Sequence, residues 1–182
     1  MAKDRKIDVV ILGLLSHEDL TGYDIKKRID GAISFFWKGS FGSIYPALSA
    51  MEESGQIKRY RADDSGSREK ILYHITPKGL SVLKQWLKDD QASNELKYET
   101  LLKLYFGGVA GTEATAHNID VFESGIKSEL EVLKMYEKNL RKKQDNEDHK
   151  YFLMTVLFGI ETYEAYLRWC TKAKKILNNQ QE

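Results

Sequence analysis

The chain begins with apolar residues at helical spacing. They share one face of a predicted first helix that ends near Ser16, namely Ile7, Val10, Ile11, Leu14 and Leu15. Thr21 is followed three residues later by Asp24, which is the pattern of a helix N-cap. The second helix that begins there is predicted to carry one apolar side formed by Ile25, Ile29 and Ile33.

A third helical segment follows the polar and aromatic residues 34–40. Its apolar face consists of Ile44, Leu48 and Met51, and Gly55 ends it. Pro46 must lie in the first turn, because deeper in a helix a proline removes a hydrogen bond and clashes with the preceding turn. The pattern therefore predicts three short helices in close succession.

Beyond Gly55 the pattern is that of strands. Residues 56–61 and 68–76 are two runs separated by a polar turn, and Ile71, Tyr73 and Ile75 alternate with other residues in the second run, which predicts a β-hairpin. Thr76 before a proline marks the start of a fourth helix. Its predicted buried face consists of Leu80, Leu83, Trp86 and Leu87. Three helices, a hairpin and a helix are the order of a winged helix-turn-helix domain.

The rest of the chain is predicted to be helical. Residues 89–94 are polar and favour a boundary, so we expect a winged-helix domain at 1–90 and a helical domain at 91–182. Residues 95–106 are amphipathic and end at a glycine pair, and Thr112 opens a long helix. The apolar face of that long helix consists of Ile119, Phe122, Ile126, Leu130, Leu133 and Leu140. The fold class we expect is mainly α, with the winged helix followed by an all-helical dimerisation domain.

The last helix has an apolar seam with the four-and-three spacing of a coiled coil. The seam consists of Phe152, Val156, Gly159, Tyr163, Tyr166, Cys170, Ala173 and Leu177. Two long helices with such seams and little else to cover them favour association with a second chain. We therefore expect a homodimer.

Composition narrows the class of protein further. The chain is 42% hydrophobic and 30% charged, which is typical of folded globular proteins. Its net charge is only +1, so any nucleic-acid interface must be local. The single cysteine, Cys170, excludes an internal disulfide, and the apolar residues 9–15 are too short to span a bilayer. We expect a cytoplasmic protein.

The third helix and the hairpin are the places where DNA contacts are expected. Lys38 and Ser40 precede the helix, and Ser43 and Tyr45 lie at its start, where free backbone N–H groups also suit phosphate. The hairpin is locally basic through Lys58, Arg59, Arg61, Arg68 and Lys70. The alternative interpretation is that the serines are simple caps, Tyr45 is a core aromatic and the basic residues form a solvated face.

Aromatic residues suggest a site for a flat ligand. The candidates, which we expect to meet between the domains or across a dimer, are Phe36, Trp37, Phe41, Trp86, Tyr98, Tyr151 and Trp169. A packed core or dimer interface is the alternative. Enzyme chemistry finds no support, because the histidines are scattered and no phosphate loop, metal-ligand pair or nucleophile elbow is present in the sequence. We expect neither a cofactor nor a metal.

Five motifs taken together resemble the PadR family of bacterial transcriptional regulators. They are Leu14-Leu15, Thr21-Gly22-Tyr23-Asp24-Ile25, residues 42–48 (GSIYPAL), residues 53–57 (ESGQI) and residues 73–79 (YHITPKG). Residues 101–106 and the two long helices resemble the dimerisation part of the longer PadR subfamily. The resemblance implies a homodimer that binds an inverted-repeat operator, usually as a repressor, and that a small molecule releases, a phenolic acid in the founding branch.

The resemblance also assigns individual residues. Tyr23, Ser43 and Tyr45 match DNA-facing positions of the family, and Arg68 and Lys70 match its wing. Residues 38–41 depart from the polar turn of the phenolic-acid branch, which leaves the operator and the effector open. An alternative function is a winged-helix module that recruits a protein and does not bind DNA sequence-specifically, which the near-neutral total charge favours.

Overall fold

The structure is a computed structural model that describes residues 6–37, 44–62, 70–90, 94, 97–142 and 148–178. Its contacts divide the chain into two units, Met1–Asn94 and Glu95–Glu182. The predicted fold class is confirmed, because a winged-helix arrangement is followed by long helices. The domain limits 1–90 and 91–182 stay predictions.

The first unit has the predicted order of elements. These are α1 (Lys6–Leu15), α2 (Gly22–Asp30), a 3-10 helix (Ala32–Phe35), α3 (Ile44–Glu53), β1 (Ile57–Ala62), β2 (Lys70–Ile75) and α4 (Pro77–Lys88). Thr21 caps α2 as predicted, since its hydroxyl oxygen accepts from the Asp24 amide at 3.1 Å. The assignment of Ile33 to the second helix was wrong. The helix ends at Asp30 with Gly31 as its C-cap, and Ile33 packs against the core from the 3-10 helix.

α3 ends in a Schellman motif around Gly55. The Gly55 amide donates to the Glu52 carbonyl and the Gln56 amide to the Met51 carbonyl, both at 2.9 Å. Gly55 has φ of 73°, a left-handed conformation that a glycine adopts without steric cost. The motif turns the chain directly from α3 into β1.

The hairpin closes the core of the first unit. β1 and β2 are antiparallel, with Ile57 opposite Ile75, and Leu20 forms an isolated bridge with Tyr73. The predicted turn between the two runs lies outside the described residues. The buried core consists of Ile11, Leu12, Leu15, Leu20, Ile25, Ile29, Ile44, Ala47, Leu48, Met51, Ile57 and Leu83.

The start of α4 packs tightly on the turn between α3 and β1. The Thr76 hydroxyl donates to the carbonyls of Gly55 and Gln56 at 2.8 and 2.9 Å, and its oxygen accepts from the Gly79 amide at 3.2 Å. A Cβ atom built on Gly79 would lie 2.1 Å from the Gln56 carbonyl oxygen. Only glycine permits this approach of helix and turn.

The predicted buried face of α4 was only partly right. Leu83 is buried and Leu80 is half-buried, but Trp86 and Leu87 are 39% and 65% exposed. Gly79 and Leu83 face the core because the cap at Thr76 fixes the rotation of the helix. Trp86 and Leu87 lie on the last turns of α4, away from the core.

The regular elements in the described part of the second unit are all helices. It contains α5 (Glu99–Tyr105), α6 (Gly107–Ala110), α7 (Thr112–Lys142) and α8 (His149–Leu177). The glycine pair was predicted to end a helix, and α5 does end there, but Gly107 also begins α6. No helix within the described ranges is long and apolar enough to cross a membrane.

Most of the predicted seam of α8 packs on α7 of the same chain, but Phe152 at its start is exposed. A Cβ atom on Gly159 would lie 3.0 Å from Leu133, so the two helices approach closely at this point. Further along, the Lys174 ammonium pairs with Asp120 at 2.5 Å and also with Glu123. We expected a second chain because the sequence offered little else to bury the apolar faces of α7 and α8. That premise was wrong. The two helices largely cover each other.

We expect Gly79→Ala to destabilise the first unit by roughly 1–3 kcal/mol, because the added methyl group collides with a backbone carbonyl that cannot move alone. Urea denaturation followed by circular dichroism measures the change in the free energy of unfolding. Gly13→Ala in α1 is the matched control, since a Cβ there meets no atom within 4 Å. Equal stability of the two variants would contradict the close packing at Gly79.

Candidate nucleic-acid interface

Two exposed tyrosines mark the N-terminal ends of α2 and α3. Tyr23 and Tyr45 are each the second residue of their helix, and they are 67% and 60% exposed. The Tyr45 ring lies over Gly22, where a Cβ would be 2.8 Å from the ring. The interpretation of Tyr45 as a buried core aromatic is therefore excluded.

Lys26 accompanies this pair and was missed in the sequence analysis. Its ammonium donates to the Asp30 carboxylate at 2.5 Å, and this hydrogen bond raises the pKa of Lys26. The phenol groups of Tyr23 and Tyr45 lie close enough to add a smaller upward contribution to the same pKa. Tyr23 and Lys26 are three residues apart on one helix, a spacing that brings side chains together and that was available from the sequence.

The described part of the hairpin is basic and exposed. Lys58, Arg59 and Arg61 on β1 and Lys70 on β2 are all exposed. The Arg59 guanidinium also pairs with Glu52 of α3 at 3.1 Å, which ties the hairpin to that helix. The hairpin therefore places positive charge next to α3.

Several predicted contact residues lie outside the described residues. These are Lys38, Ser40, Ser43 and Arg68 of the DNA-contact set and Phe41 of the predicted ligand site. Of the predicted DNA-contact set, the described residues are Tyr23, Tyr45 and Lys70, and all three are exposed. Their role in DNA binding stays a prediction.

Two of the predicted ligand residues meet in an aromatic cluster of the second unit. Tyr98 and Trp169 both pack edge-on against Phe122, with ring centroids 6.2 and 6.1 Å from it. Tyr166 completes the cluster, since its ring lies 5.5 Å from Tyr98 and 5.9 Å from Phe122. Edge-to-face pairs of this kind stabilise a fixed arrangement of rings.

Hydroxyl groups in and beside this cluster are hydrogen-bonded. Tyr98 and Tyr166 share a hydrogen bond at 2.5 Å, and Tyr163 donates to the Glu129 carboxylate. Burial raises the pKa of Tyr98 and of Tyr163, and these hydrogen bonds raise each pKa further. The sequence analysis placed Tyr163 and Tyr166 on the seam but did not identify these partners.

The other predicted ligand residues lie elsewhere. Phe36 and Trp37 are exposed in the first unit, and Trp86 lies beneath the Lys6 ammonium, which is 5.8 Å from its ring. Tyr151 is exposed at the start of α8 and is separated from Trp169 by about 27 Å along the helix axis. Within one chain, Tyr151 therefore cannot line the same site as Trp169.

Metal chemistry finds no candidate in the part of the chain that the structure describes. No group of three or more His, Cys, Asp or Glu side chains there is arranged to hold a metal ion. Cys170 is buried between α7 and α8, and burial raises the pKa of its thiol.

Three helices, a basic hairpin and exposed helix N-termini define a winged-helix protein of the DNA-binding kind. Residues 11–85 match the model of the transcriptional regulator PadR-like family, and residues 96–178 match the model called virulence activator alpha C-term. Residues 11–85 therefore form a domain of the PadR-like family of transcriptional regulators. The resemblance noted in the motifs is thereby confirmed.

Curated relatives are similar over part of their length. The chain is 36% identical over 104 residues to the negative transcriptional regulator PadR of Bacillus subtilis, a match that covers 56% of this chain and 57% of that protein. The chain spans about half the length of the curated relatives it matches.

Solved structures match nearly the whole chain. Bacillus subtilis PadR in complex with operator DNA matches with a TM-score of 0.81 at 25% identity, covering 97% of this chain and 100% of that one. The PadR-like regulator BC1756 of Bacillus cereus matches with a TM-score of 0.79 at 26% identity, again covering 97% and 100%. The fold of both units is thus similar to that of known PadR-like regulators.

Proposed function

We propose that this chain is a homodimeric repressor that binds an inverted-repeat operator and is released from it by a small aromatic molecule. The observation that carries the proposal is the pair of exposed tyrosines at the N-termini of α2 and α3, in the same unit as an exposed basic hairpin. The likeness to a PadR crystallised with operator DNA supports it. We propose that the chain acts as a DNA-binding regulator and not as an enzyme, and that it acts in the cytoplasm.

DNA binding follows from the chemistry of this surface. Helix N-termini present backbone N–H groups that attract phosphate, and a tyrosine hydroxyl donates to phosphate or to a base edge. The exposed hairpin cations supply positive charge locally, although the net charge of the whole chain is only +1. α3 is the proposed recognition helix in the major groove, with the hairpin on the flanking phosphates.

Exposed apolar residues of the second unit support the dimer. Val109 is 93% exposed and Phe158 is 69% exposed. Exposure of apolar side chains of this size to water is unfavourable. Large apolar residues exposed in this unit also include Leu101, Leu102, Tyr105, Phe106, Tyr151, Phe152 and Met154. We propose that a second copy covers them. A two-fold symmetric dimer reads two half-sites, which accounts for an inverted repeat.

The effector is proposed from the aromatic cluster of the second unit. Rings of Tyr98, Phe122 and Trp169 offer flat walls, and the hydroxyls of Tyr98 and Tyr166 offer hydrogen-bonding groups. Flat aromatic walls with a few polar groups suit a phenolic compound. Rearrangement of this cluster on binding is the proposed means of releasing the operator.

Charge reversal of the hairpin is expected to weaken DNA binding. With Lys70→Glu, affinity for DNA from upstream of the chain's own gene should fall by roughly tenfold, and the salt dependence should lose about one phosphate contact per protomer. Fluorescence anisotropy over a salt series, with random competitor DNA, measures both. The control Lys138→Glu makes the same charge change on α7 and should bind like the unaltered chain.

Tyr45→Ala and Tyr45→Phe distinguish the contribution of the ring to DNA affinity from that of its hydroxyl, in the same assay. Loss of affinity in the first variant with retention in the second would assign the contact to the ring over Gly22.

The unaltered chain tests the proposed function itself. If it binds its own upstream DNA no more tightly than random DNA, and a genome-wide selection also finds no specific site, the proposed function is contradicted. The protein-recruiting module is then favoured.

Replacing exposed apolar residues by charges is expected to weaken the dimer. Val109→Glu and Phe158→Glu should each raise the dissociation constant by roughly tenfold or more if the residue is buried between copies, whereas Phe158→Leu should not. Analytical ultracentrifugation at micromolar concentration measures the mass. A monomer of 21.0 kDa for the unaltered chain would end the dimer proposal.

A phenolic acid is expected to release operator DNA and to quench Trp169. The variant with Trp37→Phe and Trp86→Phe retains Trp169 as the only tryptophan of three, so its fluorescence reports on the cluster. 4-Hydroxycinnamate should lower both this signal and the anisotropy of bound DNA. Cyclohexanecarboxylate, which has the charge without the ring, is the control. DNA release without quenching would place the effector site elsewhere, and no release would contradict this effector class.

A further inference from the structure

Asp19 joins the turn between α1 and α2 to both strands of the hairpin. One carboxylate oxygen accepts from the Tyr60 hydroxyl of β1 at 2.5 Å. The other lies 2.7 Å from Nδ1 of His74 on β2. These contacts connect residues 41 and 55 positions apart in sequence, so they hold the hairpin to the helical part of the unit.

The carboxylate is in its charged form at neutral pH. The Tyr60 hydrogen bond lowers the pKa of Asp19, and His74 lowers it further, against the opposing effect of burial. A carboxylate only accepts hydrogen bonds, so Nδ1 of His74 must carry the hydrogen in this contact. Lys58 lies opposite His74 in the register of the hairpin, and its positive charge also lowers the pKa of Asp19.

The opposite face of the hairpin is held by α3. Alternation along β1 places Arg59 on the other face from Lys58 and Tyr60, and there it pairs with Glu52 of α3 at 3.1 Å. Two carboxylates, Asp19 and Glu52, thus hold β1 from opposite faces. The orientation of the hairpin relative to α3 depends on both.

We propose that Asp19 is a positioning residue for DNA binding, which fixes the hairpin so that its cations reach phosphate while α3 reaches the groove. This inference rests on the proposed function. A hairpin held in place before binding loses less conformational freedom when it meets DNA, and the affinity gains accordingly. Asp19 acts through Tyr60 and His74, and no contact with DNA is required of it.

Three substitutions test the proposal in the whole 182-residue chain. Asp19→Ala removes both contacts, Tyr60→Phe removes one, and Asp19→Asn retains an oxygen that accepts from Tyr60. Glu18→Ala is the matched control, because the neighbouring Glu18 forms its ion pair with Arg28 of α2, at 2.6 Å, within the helical part of the unit. Fluorescence anisotropy with DNA from upstream of the chain's own gene measures the affinity and its dependence on salt concentration. Hydrogen exchange in the absence of DNA measures the protection of the hairpin amides.

We expect Asp19→Ala to lower affinity by roughly five- to twentyfold and the salt slope by about one contact per protomer, because the hairpin no longer reaches phosphate in register. Amides of β1 and β2 should exchange faster while those of α3 stay protected. Tyr60→Phe should lie between, and Asp19→Asn should recover part of the affinity. Glu18→Ala should match the unaltered chain in both measurements.

The outcomes distinguish this inference from the proposed function. If the unaltered chain binds the operator, and the Asp19 and Tyr60 variants match it in affinity and salt slope, the positioning role is wrong and the proposed function stands. If affinity falls with an unchanged salt slope and α3 loses protection too, Asp19 serves general stability only, which also overturns the inference. If the unaltered chain binds no operator, the proposed function fails and the inference fails with it.

Discussion

The contact between Gly79 and the Gln56 carbonyl is the constraint on which the first unit depends. α4 can begin only where the turn after α3 leaves room, and the absence of a side chain at Gly79 provides that room. The Thr76 hydroxyl, bonded to the carbonyls of Gly55 and Gln56, fixes both ends of the hairpin to this point. β1 therefore leaves α3, and β2 enters α4, within one small region, which sets where the hairpin lies beside α3.

The candidate interface repeats this principle of close approach at a glycine. Gly22 lets the Tyr45 ring lie against the start of α2, and this brings the exposed ends of α2 and α3 together. The cations of β1 flank the same helix through the Arg59–Glu52 pair. The first unit thus exposes tyrosines at two helix N-termini and cations on the hairpin, groups that suit phosphate, although the net charge of the chain is only +1.

Local signals in the sequence predicted most of the fold. Caps at Thr21 and Thr76, the glycine at 55 and the alternation in β2 each act within a few residues, so they are readable without a structure. Ile33 and Trp86 were misassigned because helical spacing alone does not show where a helix ends or how its cap rotates it. The Tyr163–Glu129 and Asp19–Tyr60 contacts were missed for another reason. They join distant positions, and only the packed fold brings them together.

The packing of α7 against α8 within one chain has a consequence for how the regulator would respond to its own concentration. Since Gly159 and Leu133 bring the two helices together within one chain, the second unit has a buried core before it meets a partner. Association under the proposed dimer is then a step between folded monomers and obeys mass action. Operator occupancy would rise more steeply than in proportion to protein concentration, so the level of expression would itself set a threshold for repression.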